Sequence, residues 1–508
     1  MKKKINVSKL FLYRHRFLIG YLVLGIIYVA MLFTLPFVAM TGVSRAEMDS
    51  AVGSYVLSVD APMSGDLVDL PYRVLQKLSI MILGLSPFAV KLPSILVGLV
   101  LGLILVLLLN RWFKNNVSLM ASCLIILSTP FLFLAGSGTP LIMIVFWPTL
   151  LLWLGSKIQG EKRPKPMYSL LFAIAMLLSI FTPFMLYFAA FSVIFVLLQP
   201  HLRFIVKSLP KLPLAGVGLI IIAGVSALVM NMINHPETIM ELLLAPGLSF
   251  DQIFPNILKG LTLLFTWRGS VDSVFLTPLM SLPLFAMALI GLFSTTKGFF
   301  ASRNSIASLL IVFTLIITAF RPEAVIFFIL PFAILTAHGL KYLLEKWYGL
   351  FPENPYARLA ALLPLTALYL VMIVPSLTQF MYGYKYNPDV VRNFSYTLAL
   401  IQDNLETEVV VAPENTDFYK ILEPSRELAV VQNLESAMPG DTIAVLGRTA
   451  VEAGLSEAAS ARENQTLSEA ERVTIRTGLE QKYELKRIIA SPLRENSDII
   501  YIYTVKGE

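Results

Sequence analysis

The chain has 508 residues, 56% of them hydrophobic and 14% charged, with 40 basic and 33 acidic residues giving a net charge of +7. A mean hydropathy of +0.73 excludes an ordinary water-soluble domain, and the basic excess is gathered in short loops between apolar runs, which excludes a nucleic-acid-binding patch. The single cysteine, Cys123, excludes a disulfide framework and a thiolate metal site.

Eleven stretches are apolar enough to cross a bilayer: 17–40, 88–110, 117–135, 140–156, 167–182, 183–200, 214–233, 273–294, 306–320, 324–341 and 359–380. A hydrocarbon core of roughly 30 Å takes about 20 residues as a helix. Backbone groups in lipid must pair internally, so these runs are helices. Two links are very short, 136–139 and Thr182–Pro183, and either pair of spans could be one kinked span. The first run is longer than the core of a signal peptide and has no small-residue cleavage pattern, so it reads as an uncleaved anchor.

The loops set the orientation. One side collects 20 basic residues, from Lys2, Lys3 and Lys4 to Lys341, Lys346 and Arg358, against three acids, Glu161, Glu345 and Glu353. The other side, up to residue 380, holds seven: Arg45, Arg73, Lys77, Lys91, Lys259, Arg268 and Arg321. Positive charge stays cytoplasmic, so the N-terminus is inside and the eleventh span delivers the tail outside. Ten carboxylates fall on the outer side, among them Glu47, Asp49 and Asp69, which points to chemistry there.

The outer loop 41–87 opens on Thr41–Asp49 and ends in an amphipathic run. Leu70, Val74, Leu75, Leu78, Ile82 and Leu85 recur every three or four residues, which predicts a helix lying at the interface. In the loop 234–272, Ile239–Leu244 and Ile253–Phe265 are too short to span, and Trp267-Arg268 sits where an aromatic belt is expected. The tail, 381–508, shifts to 13 basic and 20 acidic residues. It alternates β-rich runs at 408–412, 428–432, 442–447, 486–490 and 498–505 with helical runs near 389–404 and 467–483. That predicts an extracytoplasmic α/β domain, with neither a Gly-rich phosphate loop nor a nucleophile elbow. The fold class is therefore an all-α polytopic membrane domain over 1–380, with outer loops 41–87 and 234–272, followed by an α/β domain over 381–508.

Outer-face acids beside outer-face cations form the candidate site. Glu47 and Asp49 follow the first span closely, where a carboxylate at the membrane surface suits a general base. On an extended segment the two would point the same way; on a helix they diverge by about 200°. Arg321 opens the short turn between the ninth and tenth spans, where its planar fork suits phosphate oxygens. Arg268, Arg73 and Lys91 could join that cluster, and Lys91 stands out as a charge near the start of an apolar span. His15, His201, His235 and His338 share no ligand spacing, so no metal and no cofactor is expected.

Several of these segments carry a resemblance. Glu47-Met48-Asp49 follows the first span, and Leu70-Pro71-Tyr72 comes next. The run Leu83-Gly84-Leu85-Ser86-Pro87-Phe88-Ala89-Val90-Lys91-Leu92-Pro93-Ser94 is then followed by Ser137-Gly138-Thr139-Pro140 leading into Phe146-Trp147-Pro148. Arg321 precedes Ile329-Leu330-Pro331-Phe332-Ala333-Ile334-Leu335-Thr336-Ala337-His338-Gly339-Leu340. Together they resemble the integral-membrane glycosyltransferases of the GT-C fold, in the branch of protein O-mannosyltransferases and the aminoarabinose transferase of lipid A. This chain departs from the family pattern in four places. Met48 separates the acids, Lys91 replaces an arginine, Leu141 stands where an acid is frequent, and Asp69-Leu70 replaces the residue before Pro-Leu-Tyr.

The resemblance implies a polyprenyl-phosphate-linked sugar donor and metal-independent, inverting transfer on the outer face of a prokaryotic plasma membrane, to a protein, lipid or glycan acceptor. Glu47 or Asp49 would be the base. Arg321 and Lys91 would hold the phosphate, and Arg268, Arg73, Asp69 and Tyr72 would complete the substrate-binding set. The alternative is a catalytically inactive relative that binds or assembles lipid-linked glycans. A transporter is disfavoured, because the spans hold almost no ionisable residues and no inverted repeat is visible.

Overall fold

Long apolar runs in this chain fold as helices, and short β-branched runs near its end fold as strands. The computed structural model describes residues 14–57, 67–159, 166–200, 203–204, 211–234, 236, 242, 250–266, 278–296, 302–350, 356, 360, 362–391, 393–403, 408–412, 415–424, 428–431, 442–446, 483–490 and 499–505. Its contacts divide into two compact units that are not sequential. The larger comprises Met1–Ala39, Ser58–Tyr72 and Ser94–Asn387; the smaller comprises Met40–Leu57, Arg73–Pro93 and Pro388–Glu508.

The larger unit is helical. Among the described residues, six helices are long and apolar enough to cross a membrane: Arg16–Val38, Pro87–Trp112, Ile142–Gln159, Arg303–Phe320, Ala324–Leu350 and Leu363–Tyr386. Asn115–Ile126 and Thr129–Gly136 make a seventh span if the bent pair is counted as one. The eleven predicted spans therefore include shorter helices such as Pro166–Ser179, Met185–Leu198 and Leu282–Thr296. Fourteen residues rise only about 21 Å, less than the hydrocarbon thickness. The predicted span 117–135 bends by 62° near Leu127–Ser128. Pro130, in the first turn of the second helix, has no N–H to continue the first. The link after Thr182-Pro183 is a true break, because Phe184 adopts a left-handed conformation at φ 67°.

Burial ranks these helices. The most apolar 18-residue stretch of Ala324–Leu350 is 94% buried and that of Arg16–Val38 only 17%, so the former is central. Gly291 and Gly339 let the Leu282–Thr296 and Ile329–Leu350 helices touch backbone to backbone; a Cβ on Gly291 would lie 1.9 Å from the Leu335 carbonyl oxygen. Some buried hydroxyls pair across helices. Thr129 donates from Oγ1 to the Ser376 carbonyl at 2.6 Å, and its N–H reaches Ser376 Oγ at 3.0 Å.

In the smaller unit, β1 (Val43–Ser44) pairs antiparallel with β2 (Phe394–Ser395). Gly42, at φ 90°, lies so close to Ser395 that a Cβ would meet its carbonyl at 2.3 Å. β3 (Val409–Val411) is flanked in parallel by β4 (Ala429–Val431) and β5 (Thr442–Leu446). β6 (Tyr483–Ala490) and β7 (Ile499–Val505) complete an antiparallel edge, giving the order β4-β3-β5-β7-β6. All five strands fall on predicted β-rich runs. The predicted helix over 389–404 is instead two short helices, Pro388–Val391 and Thr397–Asp403, because β2 is drawn between them into pairing with β1. The predicted helical run up to 482 lies outside the described residues.

One core joins the loop 41–87 to the tail. Met48, Ala51, Ile80 and Val90 pack with Leu398, Phe418, Val410 and Ile502. The predicted amphipathic helix is present at Leu70–Leu83. It turns Val74, Leu75, Leu78, Met81 and Ile82 outward and buries Gln76 and Ser79, the reverse of a water-facing helix and the arrangement expected at a bilayer interface.

Candidate functional site

Glu47 is placed by a capping box. Ser44, at the N-cap of the Arg45–Val56 helix, accepts from the Glu47 N–H at 3.2 Å, and Glu47 Oε2 accepts from the Ser44 N–H at 2.7 Å. The Ser-x-x-Glu spacing makes this reciprocal pair possible. The segment is thus helical at 47–49, and the two acids diverge. Glu47 is fully buried; Asp49 is exposed.

Lys91 is the partner of Glu47. Its Nζ lies 4.0 Å from Glu47 Oε1, and both side chains are 0% exposed. The same nitrogen donates to the Met40 carbonyl at 2.5 Å and lies 5.5 Å from the centre of the Phe394 ring, a cation–π distance. An ion pair this deep needs extra partners, since losing water costs each ion several kcal/mol, of which pairing returns only part. The Met40 carbonyl, the Ser44 N–H and the Phe394 face supply them.

A buried amide holds the surrounding helices in register. Gln76 Oε1 accepts from Ser50 Oγ at 2.8 Å and Ser54 Oγ at 2.7 Å, and its Nε2 donates to the Val90 carbonyl at 3.2 Å. It ties the helix of Glu47 to the residue before Lys91. Arg73 is half-buried, with its guanidinium against Gly53. Lys77 donates to the carbonyls of Tyr55 and Leu57 at the end of the Arg45–Val56 helix, where cations are favoured.

Asp49 lines a cavity of about 760 Å³ in the smaller unit, together with Asn415, Thr416, Asp417 and Lys420. Its apolar wall includes Val52 and Val431.

The other predicted residues belong to the larger unit. Asp69 is buried at a left-handed φ of 55°, and its N–H donates to the Phe181 carbonyl at 2.7 Å. Tyr72 is fully buried, with its hydroxyl 2.7 Å from Ser94 Oγ; Ser94 in turn donates to the Thr139 carbonyl at 3.2 Å. This links the Leu-Pro-Tyr, Lys-Leu-Pro-Ser and Ser-Gly-Thr-Pro segments. Arg321 is half-buried and caps the 3₁₀ helix Pro322–Phe328. Arg268 lies outside the described residues.

Sequence reasoning had singled out Lys91 and Glu47 but not their pairing, which joins residues 44 positions apart. It missed Gln76, Ser54 and Phe394. Only the polar Gln76 within an apolar helix gave any signal.

Comparison with known proteins agrees with this architecture. The family described as dolichyl-phosphate-mannose-protein mannosyltransferase matches residues 71–227. The crystal structure of ArnT from Cupriavidus metallidurans in the apo state is similar over 96% of this chain and 98% of its own, with a TM-score of 0.52 and 13% identity. ArnT from the same organism bound to undecaprenyl phosphate gives a TM-score of 0.50 and 12% identity, over 95% and 98% of the two chains. The chain has the fold of the GT-C glycosyltransferases. The apo Archaeoglobus fulgidus oligosaccharyltransferase shares it, with a TM-score of 0.52 and 12% identity over 94% of this chain and 70% of that one. No curated protein sequence matched. At these identities the GT-C likeness is one of fold, and it covers nearly the whole length of the ArnT chains.

Proposed function

We propose that this protein transfers a sugar from a polyprenyl-phosphate-linked donor to an acceptor at the outer face of a prokaryotic plasma membrane, with inversion and without a metal. The observation that carries the reading is the buried pair of Glu47, on the helix Arg45–Val56, with Lys91, near the start of the helix Pro87–Trp112, in a GT-C fold. Such pairs contribute little to stability compared with apolar packing. Glu47 is the base that takes the acceptor proton. Lys91 fixes its carboxylate, and the capping box fixes the helix that carries it. Arg321 binds the donor phosphate, where negative charge grows as the glycosidic bond breaks and fixed cations lower the barrier.

A second reading gives the base to Asp49, because it is the acid that faces an open cavity. Purified protein in detergent, assayed with a polyprenyl-phosphate sugar, separates the two. Glu47→Gln is expected to lower transfer by about 10²- to 10⁴-fold, the usual effect of losing a general base, with Asp49→Asn retaining most activity. The opposite pattern moves the base to Asp49. Full activity in both variants, with no turnover difference from the unaltered protein, overturns the assignment. No turnover in the unaltered protein with any polyprenyl-phosphate sugar leaves the binding or assembly role.

A further inference from the structure

The cavity beside Asp49 is built for a ligand that the donor chemistry does not account for. Its volume, about 760 Å³, falls among ligand-sized pockets. The helix of Glu47 forms one side through Met48, Asp49, Val52 and Gly53, and the segment Asn415–Phe418 with Lys420 forms another. Asn415 adopts a left-handed φ of 57°, which starts the short helix Thr416–Lys420.

The lining has two kinds of surface. Val52 and Val431, both half-buried, make an apolar wall, while Asp49, Asn415, Thr416 and Asp417 present oxygen and amide groups. A sugar ring is a matching object, with a C–H face for the wall and hydroxyls for the polar groups. Carboxylates accept two such hydroxyls at once, and an amide both donates and accepts. The charged groups are Asp49, Asp417 and Lys420, and Lys420 already pairs with Asp417 at 3.2 Å. One negative charge is in excess, which repels phosphate and sulfate.

We infer that this cavity seats a neutral, hydroxyl-rich glycan, the acceptor of the proposed transfer. The inference rests on the transfer reading, and it names the acceptor class that reading leaves open. The donor, whose head is anionic, binds elsewhere. Asp49, which lines the cavity, is two residues along the same short helix from Glu47 and on its other face.

The test is binding without turnover. Full-length protein in a detergent that has no sugar headgroup is titrated by calorimetry with cellotriose, maltotriose, mannotriose and chitotriose, and with sulfated maltotriose as the anionic control. At least one neutral trisaccharide is expected to bind and the sulfated one not to. Asp417→Asn and Asn415→Gly should each weaken the neutral ligand by about tenfold, the loss of one hydrogen bond in a binding site. Asn415→Gly keeps the left-handed backbone, and Asp417→Asn alters only an exposed pair, so both variants should fold. In the transfer assay both should raise the acceptor KM. If none of the four neutral trisaccharides binds, if the sulfated one binds as well as they do, or if the variants bind as the unaltered protein does, the inference is overturned. Loss of transfer in Glu47→Gln with binding intact supports both readings. Absence of donor turnover with binding intact removes the transfer reading and leaves the glycan site standing.

Discussion

The helical unit buries neutral hydrogen-bonded pairs, whereas the smaller unit adds a buried pair of opposite charges to its neutral network around Gln76. In the helical unit Thr129 meets Ser376, Tyr72 meets Ser94, and the Trp147 indole donates to Thr182 Oγ1 at 3.0 Å. Each is a pair of neutral groups whose hydrogen bonds replace those to water at modest net gain. In the smaller unit Glu47 and Lys91 are full charges, both 0% exposed. Neutral pairs tie helices together and are explained by packing alone. The charged pair is not, and this is why the chemistry is placed on it.

Substitutions can break or sharpen that contrast. The largest effect on stability is expected from Lys91→Met, which strands the Glu47 carboxylate and should cost about 3–5 kcal/mol, read as a lower unfolding midpoint by tryptophan fluorescence in detergent. Adding Glu47→Gln to Lys91→Met removes both charges and should restore most of that loss without restoring transfer. A double variant as unstable as the single one would mean that the pair is held by geometry rather than charge. Gly291→Ala probes the helical unit without touching any polar group. Its Cβ would collide with the Leu335 backbone, and overpacking of this kind costs about 1–3 kcal/mol, again visible in the midpoint. Thr129→Val should cost least, about 1 kcal/mol for one neutral hydrogen bond. A loss as large as that of Lys91→Met would erase the distinction between the two units.

Much of this was legible in the chain. Apolar runs of membrane length need no tertiary context to be helices, since lipid offers the backbone no other partner. The five β-rich runs of the tail carried their own strand pattern. Lys91 was conspicuous as a charge at the head of an apolar span. The 62° bend ahead of Pro130 was not legible, because hydropathy reports apolar character and not whether a run is interrupted, whereas the break at Phe184 falls where two spans were already divided.

What the amino-acid order determined by itself is everything set by local physics: hydropathy, charge asymmetry across loops, strand alternation and helix capping. The tertiary structure alone decided that Glu47 turns inward while Asp49 turns out to a cavity, that Glu47 meets Lys91, and that residues 40–57 and 73–93 share a core with the tail. These contacts join residues far apart in the chain. Their free energy comes from excluding water between surfaces that meet only once the chain has folded, so no local window of sequence contains them.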